Sequence, residues 1–207
     1  MTGGVDHLVW AVPVLEGGVD RMEALTGVRA IPGGRHPRFG THNALLSLGA
    51  STYLEIIAPD PDAPRRTGGM VFGMDGIQEP RLATWALRRE DLEEQAGAAA
   101  RAGCLLGELQ SGYRDRADGV RLTWRLTDPF AMPMDGVVPF LIAWGDTPHP
   151  ATSAPRAGAL VAVIAEHPEA GRVAGVLDAL GVAAEVREGP LPRLWAVLQT
   201  PLGTVRL

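Results

Sequence analysis

The stretch from residue 40 to residue 58 constrains the fold more than any other part of the chain. Leu45, Leu46 and Leu48 form a first apolar run, and residues 49–51 supply a short turn. Residues 53–57 then bring aromatic and β-branched types, which suit a pleated and half-buried surface. The stretch therefore predicts a hairpin of two buried strands.

Glu55 is the unusual residue of this predicted hairpin. Side chains alternate along a strand, so Glu55 shares one face with Tyr53 and Ile57. A carboxylate among such neighbours needs a partner, a metal ion or water, because an unpaired buried charge is costly. Glu55 is therefore a candidate site residue.

A strand and a helix precede the hairpin. Residues 5–12 combine β-branched and aromatic types until Pro13 ends the run, which predicts a strand with His7 on one face. That histidine is either a core residue with a backbone partner or part of a site. Residues 15–25 carry apolar side chains at spacings of three and four before Gly27, which predicts a helix.

The segment between this helix and the hairpin completes a first module. Residues 28–31 predict a short strand, and residues 32–40 are rich in Gly and Pro, which predicts a loop that displays Arg35 and His36. Together with the hairpin, residues 1–60 follow the order βαβββ.

The same order recurs along the rest of the chain. A proline-rich connector, residues 61–80, separates the first module from a second at residues 81–150. The second module has predicted strands at 82–87, 106–114, 120–126 and 137–144, and a helix at 90–102. Residues 151–207 form a third, shortened module that again begins with a strand and a helix. The sequence therefore predicts an α+β fold of repeated βαβββ modules.

Composition excludes several classes of protein. The 19 basic residues, all arginine, are spread along the chain against 24 acidic ones, so no basic block predicts a nucleic-acid surface. No apolar run approaches the length of about 18 residues that a membrane span needs. Cys104 is the single cysteine, which leaves no intrachain disulfide and fits a reducing compartment. We therefore expect a cytoplasmic protein without a membrane segment.

Four separated stretches carry a resemblance to a known family. They are residues 6–10 (Asp-His-Leu-Val-Trp), 33–43, 53–57 and 139–150, and they span about 150 residues. In these stretches the chain resembles a glyoxalase-like domain of the vicinal oxygen chelate superfamily. The resemblance implies paired modules whose strands curl into an open, cup-like mixed sheet, with the helices on its outer face.

The resemblance also implies one divalent metal ion, such as Zn, Fe, Mn or Ni. In the family, the first and last strands of each module each provide one ligand, and His7 and Glu55 match the first-module pair. The second module departs from this pattern, because the corresponding positions hold Ala83 or Thr84 and Ile142 or Ala143. Two ligands hold such an ion poorly. His42 and His149 are the candidates for a third.

Further polar residues are candidates for substrate binding. Arg35 beside His36 is either a solvated loop pair or a grip for a carboxylate or phosphate. Thr41 and Asn43 either cap a strand or orient a ligand by hydrogen bonds. Arg125 shares a strand face with two other polar residues, Arg121 and Thr123. That face is either solvated or lines the cup, where it would favour an anionic ligand.

Two functions of different class follow from these residues. The first is a metal-dependent lyase, isomerase or dioxygenase that acts on a small molecule, with Glu55 as the catalytic residue. The second is a metal-free protein that binds or sequesters a small molecule in the same cup. In either case, exposed strand edges predict a homodimer.

Overall fold

The computed structural model describes residues 4–64, 68–115, 119 and 121–207. Residues 65–67 of the predicted linker and residue 120 of the predicted strand 120–126 lie outside the described residues. The described chain contains three α-helices and twelve strands, and their order repeats the βαβββ pattern three times.

The first repeat consists of β1 (Val5–Ala11), α1 (Leu15–Thr26), β2 (Ile31–His36), β3 (Thr41–Ser47) and β4 (Tyr53–Pro59). The second consists of β5 (Arg81–Arg88), α2 (Leu92–Arg101), β6 (Gln110–Asp115), β7 (Arg121–Leu126) and β8 (Phe140–Ala143). The third consists of β9 (Ala159–His167), α3 (Ala170–Ala179), β10 (Glu185–Glu188), β11 (Arg193–Thr200) and β12 (Gly203–Arg206). Short 3-10 helices occur at Val71–Gly73, Pro133–Gly136 and Pro150–Thr152.

The first two repeats share one eight-stranded mixed sheet in the order β2-β3-β4-β1-β5-β8-β7-β6. Its central contact is the antiparallel pair of β1 and β5, and each of these strands also pairs in parallel with the last strand of its own repeat. The sheet curls until its edges, β2 and β6, lie against each other. Arg38 bridges them by donating to the Ser111 carbonyl and to Gln110 Oε1, each at 2.9 Å. The sheet is therefore a nearly closed cup.

Alternating apolar side chains give this sheet two separate cores. On the convex side, Leu8 and Trp85 pack with residues of the helices such as Met22 and Leu92, and all four are fully buried. On the concave side, a second cluster built around residues such as Phe140 fills part of the cup. The helices thus lie on the outer face, and the predicted fold of repeated βαβββ modules with a cup-like sheet is confirmed.

The third repeat forms its own four-stranded sheet in the order β10-β9-β11-β12. Its buried face, which includes Val163, Leu194 and Ala196, joins the convex core, where α3 contributes Val173 and Val176. No described helix is long and apolar enough to cross a membrane.

Four predicted elements differ from the structure, and one of them is the short strand expected at residues 28–31, of which only Ile31 lies in a strand. Residues 31–36 form β2, whereas residues 32–40 were expected to be a loop. Pro32 fits there because β2 pairs only with β3, and the ladder shifts register between Pro32 and Gly34. The strands predicted at 106–114 and 137–144 are shorter at their beginnings, since β6 starts at Gln110 and β8 at Phe140.

Candidate functional site

The interior of the cup contains a cavity that is partly open to solvent. Polar side chains gather on the first-repeat side, with one from β6, while apolar and aromatic side chains cover most of the remaining wall. The polar lining residues are His7, His36, Thr41, Asn43, Tyr53, Glu55 and Arg114. The apolar ones are Phe39, Ile57, Val71, Phe72, Trp124, Leu126, Phe140, Ile142 and Trp144. Such a wall with a few converging polar groups is typical of a small-molecule site.

An irregularity in β1 brings two successive polar side chains to this site. The pairing of β1 with β5 shifts register between Val5 and His7, so Asp6 is the extra residue of a bulge. His7 Nδ1–H donates to Asp6 Oδ1 at 2.7 Å, although strict alternation would send the two side chains to opposite faces. The bulge therefore turns the Asp6 side chain toward the imidazole of His7, from which it accepts a hydrogen bond.

Asp6 is fully buried and accepts three hydrogen bonds. Besides His7, Trp144 Nε1–H and His149 Nε2–H each donate to Asp6 Oδ2 at 3.0 Å. Burial raises the pKa of Asp6, but the hydrogen bonds from His149 and His7 outweigh it and lower that pKa from 3.8 to about 2. Asp6 therefore stays a carboxylate and keeps the proton of His7 on Nδ1.

His7 and Glu55 face one another inside the cavity, as their strand positions predicted. His7 Nε2 lies 3.8 Å from Glu55 Oε2, and both side chains are almost completely buried. Tyr53 stacks on the imidazole with ring centroids 4.6 Å apart. Because Nδ1 is committed to Asp6, Nε2 is the nitrogen that can bind or exchange a proton in the cavity.

A second chain of contacts joins Glu55 to a buried arginine. Asn43 Nδ2 donates to Glu55 Oε1 at 2.5 Å, and Arg114 Nη1 donates to Asn43 Oδ1 at 3.3 Å. The two contacts fix the orientation of the amide, since a guanidinium can only donate and a carboxylate only accept. Asn43 thus lies between a cation and an anion.

Gly33 of β2 leaves the room that this contact needs. A Cβ atom at that position would collide with Asn43 Oδ1 and with Arg114 Nη1. The glycine is buried where the two edge strands approach each other, so its missing side chain lets the arginine of one edge reach the asparagine near the other.

His36 and Thr41 complete the polar wall. His36 Nδ1 and Thr41 Oγ1 share a hydrogen bond of 3.0 Å, and both residues are buried. Burial lowers the pKa of His36 from 6.5 to about 4, so its imidazole is neutral at neutral pH. The expectation that His36 is displayed on a loop is wrong, because β2 turns its side chain into the cup.

The apolar wall includes a residue from the connector between the two repeats. Phe72 stacks on Phe140 with centroids 5.3 Å apart and has a φ of 55°, which is uncommon for a bulky side chain. Its backbone is held by a hydrogen bond from its N–H to the Pro129 carbonyl. The predicted linker therefore contributes part of the cavity wall.

Two predicted binding residues lie outside the cavity. Arg35 is half exposed and pairs with Asp60 and Asp62. Arg125 is equally exposed on the opposite face of β7 from the lining residue Trp124, and it pairs with Glu93 of α2 at 2.5 Å. The solvated-face interpretation of the β7 arginine is therefore the correct one, and the expectation that Arg125 lines the cup is wrong.

Neither candidate for a third metal ligand reaches His7 and Glu55 with a free ring nitrogen. His42 lies between the inward-facing Thr41 and Asn43 on β3, so its side chain is on the convex side. His149 uses Nε2 to donate to Asp6, while its Nδ1 accepts from the Ala151 N–H at 3.3 Å.

The donor set at the site does not fit a catalytic divalent metal ion. The described residues contain no group of three or more His, Cys, Asp or Glu side chains placed to hold one. His7 and Glu55 supply two donors, whereas such sites usually have three protein ligands. Apart from Arg114, whose guanidinium can only donate hydrogen bonds, the described lining residues of the second repeat are apolar and offer no further ligand.

Sequence reasoning missed Asp6 and Arg114. Asp6 is adjacent to His7, but the bulge that turns it inward has no signal in the residues. Arg114 alternates with the exposed Ser111 and Tyr113 along β6, where Gly112 is also buried. Strand alternation was a usable signal here. It places Arg114 on the same face of β6 as Gly112, opposite to Ser111 and Tyr113.

Comparison with other proteins agrees with the cup. The family model described as a glyoxalase-like domain matches residues 5–181. A hypothetical protein from Staphylococcus aureus has a TM-score of 0.69 at 12% identity, over 98% of this chain and 97% of that one. Methylmalonyl-CoA epimerase from Mycobacterium tuberculosis has a TM-score of 0.47 at 18% identity, over 70% of this chain and 89% of that one. No curated protein matches the chain. Since the family model covers most of its length, the chain belongs to the glyoxalase-like domain family of the vicinal oxygen chelate superfamily.

Proposed function

We propose that this protein is an isomerase- or lyase-type enzyme that moves a proton on a small molecule held in the cup. Glu55 is the base, and His7 is the second proton-transfer group. The observation that carries the proposal is the pair itself: His7 Nε2 and Glu55 Oε2 lie 3.8 Å apart within an aromatic cavity. Two such groups facing one cavity are suited to general acid–base chemistry.

The proposed step is proton abstraction beside a carbonyl group. Glu55 Oε2 takes the proton from the carbon, the C–H electron pair becomes the new C=C bond, and the carbonyl oxygen gains the negative charge. For an isomerisation, Glu55 passes this proton to the unprotonated Nε2 of His7, 3.8 Å away. The imidazolium then returns it to the other face or to a neighbouring atom of the molecule, which leaves Glu55 as a carboxylate and His7 neutral again. The step needs no oxidant, reductant or metal ion.

The surroundings of the pair support this role. Asn43 donates to Glu55 Oε1, which leaves Oε2 directed at His7. Burial raises the pKa of Tyr53 well above its ordinary value, so the ring stacked on His7 stays a neutral phenol. The apolar wall lowers the local dielectric, which strengthens the interactions of fixed polar groups with developing charge.

Deuterium uptake tests the proposed function without a known substrate. Pyruvate, 2-oxobutyrate and hydroxyacetone are incubated with the protein in D₂O, and proton NMR follows the loss of signal beside each carbonyl. We expect enzyme-dependent exchange for at least one compound. Glu55→Gln should reduce it by about 100-fold or more, because the amide cannot accept the proton.

Arg125→Gln is the matched control, since Arg125 lies outside the cavity and should leave exchange unchanged. A chelator should also have no effect. Exchange that appears only after Zn, Fe, Mn or Ni is added would contradict the metal-free proposal and restore the metal-dependent one. Exchange that persists in Glu55→Gln would contradict the role of Glu55.

A second candidate function is binding without catalysis. It is favoured by the extent of the apolar wall, where Trp124 and Trp144 lie 5.5 Å apart. Their position makes tryptophan fluorescence a direct reporter of occupancy. Saturable quenching by a compound that shows no exchange would identify the protein as a binding or sequestering protein.

A further inference from the structure

We propose that His36 is a third catalytic residue of the cup, whose Nε2–H donates a hydrogen bond to the carbonyl oxygen of the bound molecule. This donor stabilises the negative charge that the oxygen gains when Glu55 takes the neighbouring proton. The inference rests on the proposed function for the reaction itself, whereas the direction of the N–H group follows from the contacts of the imidazole.

One nitrogen of the His36 imidazole is open to the cavity. The residue lines the cavity and is 6% exposed. Its Nδ1 shares a hydrogen bond of 3.0 Å with Thr41 Oγ1, but its Nε2 has no hydrogen-bond partner among the described residues. Within the described part of the chain, no fully enclosed side-chain nitrogen or oxygen lacks such a partner. The Nε2 atom is therefore not enclosed by protein, and the space beside it is the cavity.

The hydroxyl group of Thr41 determines which nitrogen of His36 carries the proton. Thr41 is fully buried, and across the described ranges its hydroxyl has a single hydrogen-bond partner, His36 Nδ1. A buried O–H group without an acceptor is costly, so the hydroxyl donates to Nδ1. The single proton of the neutral imidazole is then on Nε2, and the N–H group is directed into the cavity.

The two histidines of the cup thus have opposite tautomers. His7 donates from Nδ1 to Asp6, which leaves its Nε2 as an acceptor, whereas His36 offers an N–H donor. Burial lowers the pKa of His36 from 6.5 to about 4, although the charge of Glu55 acts to raise it. At neutral pH the imidazole is therefore uncharged, and it does not form an ion pair that would reduce the basicity of Glu55. The site combines groups that accept a proton from carbon with a donor for the carbonyl oxygen.

Several contacts fix this donor in place before a molecule binds. The His36 carbonyl accepts from the N–H groups of Phe39 and Gly40, each at 2.9 Å, which anchors the residue at the turn between β2 and β3. Trp124 meets the imidazole edge to face, with ring centroids 6.1 Å apart. A donor held in this way does not need to reorganise during the reaction, which is what stabilisation of a developing charge requires.

The test compares two amides at position 36. His36→Asn places its amide near the position of Nδ1, so it can still accept from Thr41 but offers no N–H group where Nε2 was. His36→Gln reaches the position of Nε2 and keeps a donor there. Initial rates of deuterium exchange on pyruvate, 2-oxobutyrate and hydroxyacetone, measured over a range of concentrations, separate kcat from KM.

We expect His36→Asn to lower kcat by about 100-fold and to change KM by less than about threefold, because the hydrogen bond strengthens only as the oxygen becomes charged. His36→Gln should retain at least about a tenth of the wild-type kcat, since a donor remains. His42→Asn is the matched control and should leave both constants unchanged, because His42 lies on the convex side. Nitrogen-15 NMR of the wild-type protein at pH 7 should show the proton of His36 on Nε2 and that of His7 on Nδ1.

Two outcomes would overturn the role of His36: a wild-type kcat in the His36→Asn protein, or a His36 proton on Nδ1. If His36→Asn does not fold, the tautomer and the activity retained by His36→Gln decide. The proposed function fails in a different way. A wild-type protein without exchange removes the enzyme and this role together, whereas wild-type exchange that His36→Asn leaves unchanged removes the role alone.

Discussion

Asp6→Ala is expected to lower the free energy of unfolding by about 3–5 kcal/mol, because removal of one member of a buried polar network leaves its partners unpaired. Three buried N–H groups, on His7, Trp144 and His149, donate to this carboxylate. Alanine would leave all three without an acceptor in a region from which water is largely excluded. The loss should exceed that of an ordinary surface substitution several-fold.

Urea denaturation measures this effect, with Asp178→Ala as the control. Asp178 is exposed on α3, so its replacement should change stability by less than about 0.5 kcal/mol. Asp6→Asn adds a second comparison, since the amide keeps the size of the side chain but places an N–H₂ group among donors. It should also be destabilising. A cost below about 1 kcal/mol for Asp6→Ala would mean that the network is not intact in solution.

Acidification from pH 6.5 to pH 4 is expected to cost the protein about 3 kcal/mol of stability through His36 alone. Burial lowers the pKa of His36 from 6.5 to about 4 in the folded state. Between these values the unfolded chain binds a proton that the folded chain does not. The full stability is therefore present above pH 6.5. It falls as the pH drops from 6.5 to 4, and further acidification causes no additional loss through His36.

Urea midpoints measured across this range check the prediction. His36→Gln removes the titrating group, so its stability should depend less steeply on pH between 6.5 and 4. The matched control is His42→Gln. His42 lies partly exposed on the convex face, so it should remove a much smaller share of the dependence. A wild-type curve that is flat over this interval would show that His36 is accessible to water rather than enclosed in the cup.

The agreement between sequence and structure is greatest where alternation is regular. The rule that placed Glu55 beside Tyr53 and Ile57 also holds in β4, and all three line the cavity. In β3, the same alternation rule would have placed the His42 side chain on the face opposite to Thr41 and Asn43. Applied to β7, it correctly placed Arg125 opposite the apolar residues, and only the assumption that this polar face lines the cup was wrong.

The remaining parts of the site depend on features that alternation does not encode. The bulge at Asp6 arises from how β1 pairs with β5, which is a property of two distant segments. The contact of Arg114 with Asn43 joins residues that are 71 positions apart and exists because the sheet closes on itself. β2 was missed because Gly and Pro favour loops, whereas an edge strand tolerates both.

Closure of the cup also determines where the protein can recruit foreign β-strands. Strand addition and aggregation need an edge whose N–H and C=O groups are accessible. β2 and β6 shield one another, with Arg38 tying the two together. The open edges belong instead to β10 and β12 of the smaller sheet, and β10 exposes charged side chains such as Glu185, Arg187 and Glu188. Charge on an edge discourages edge-to-edge stacking, so we expect the charged side chains of β10 to hinder strand addition at that edge.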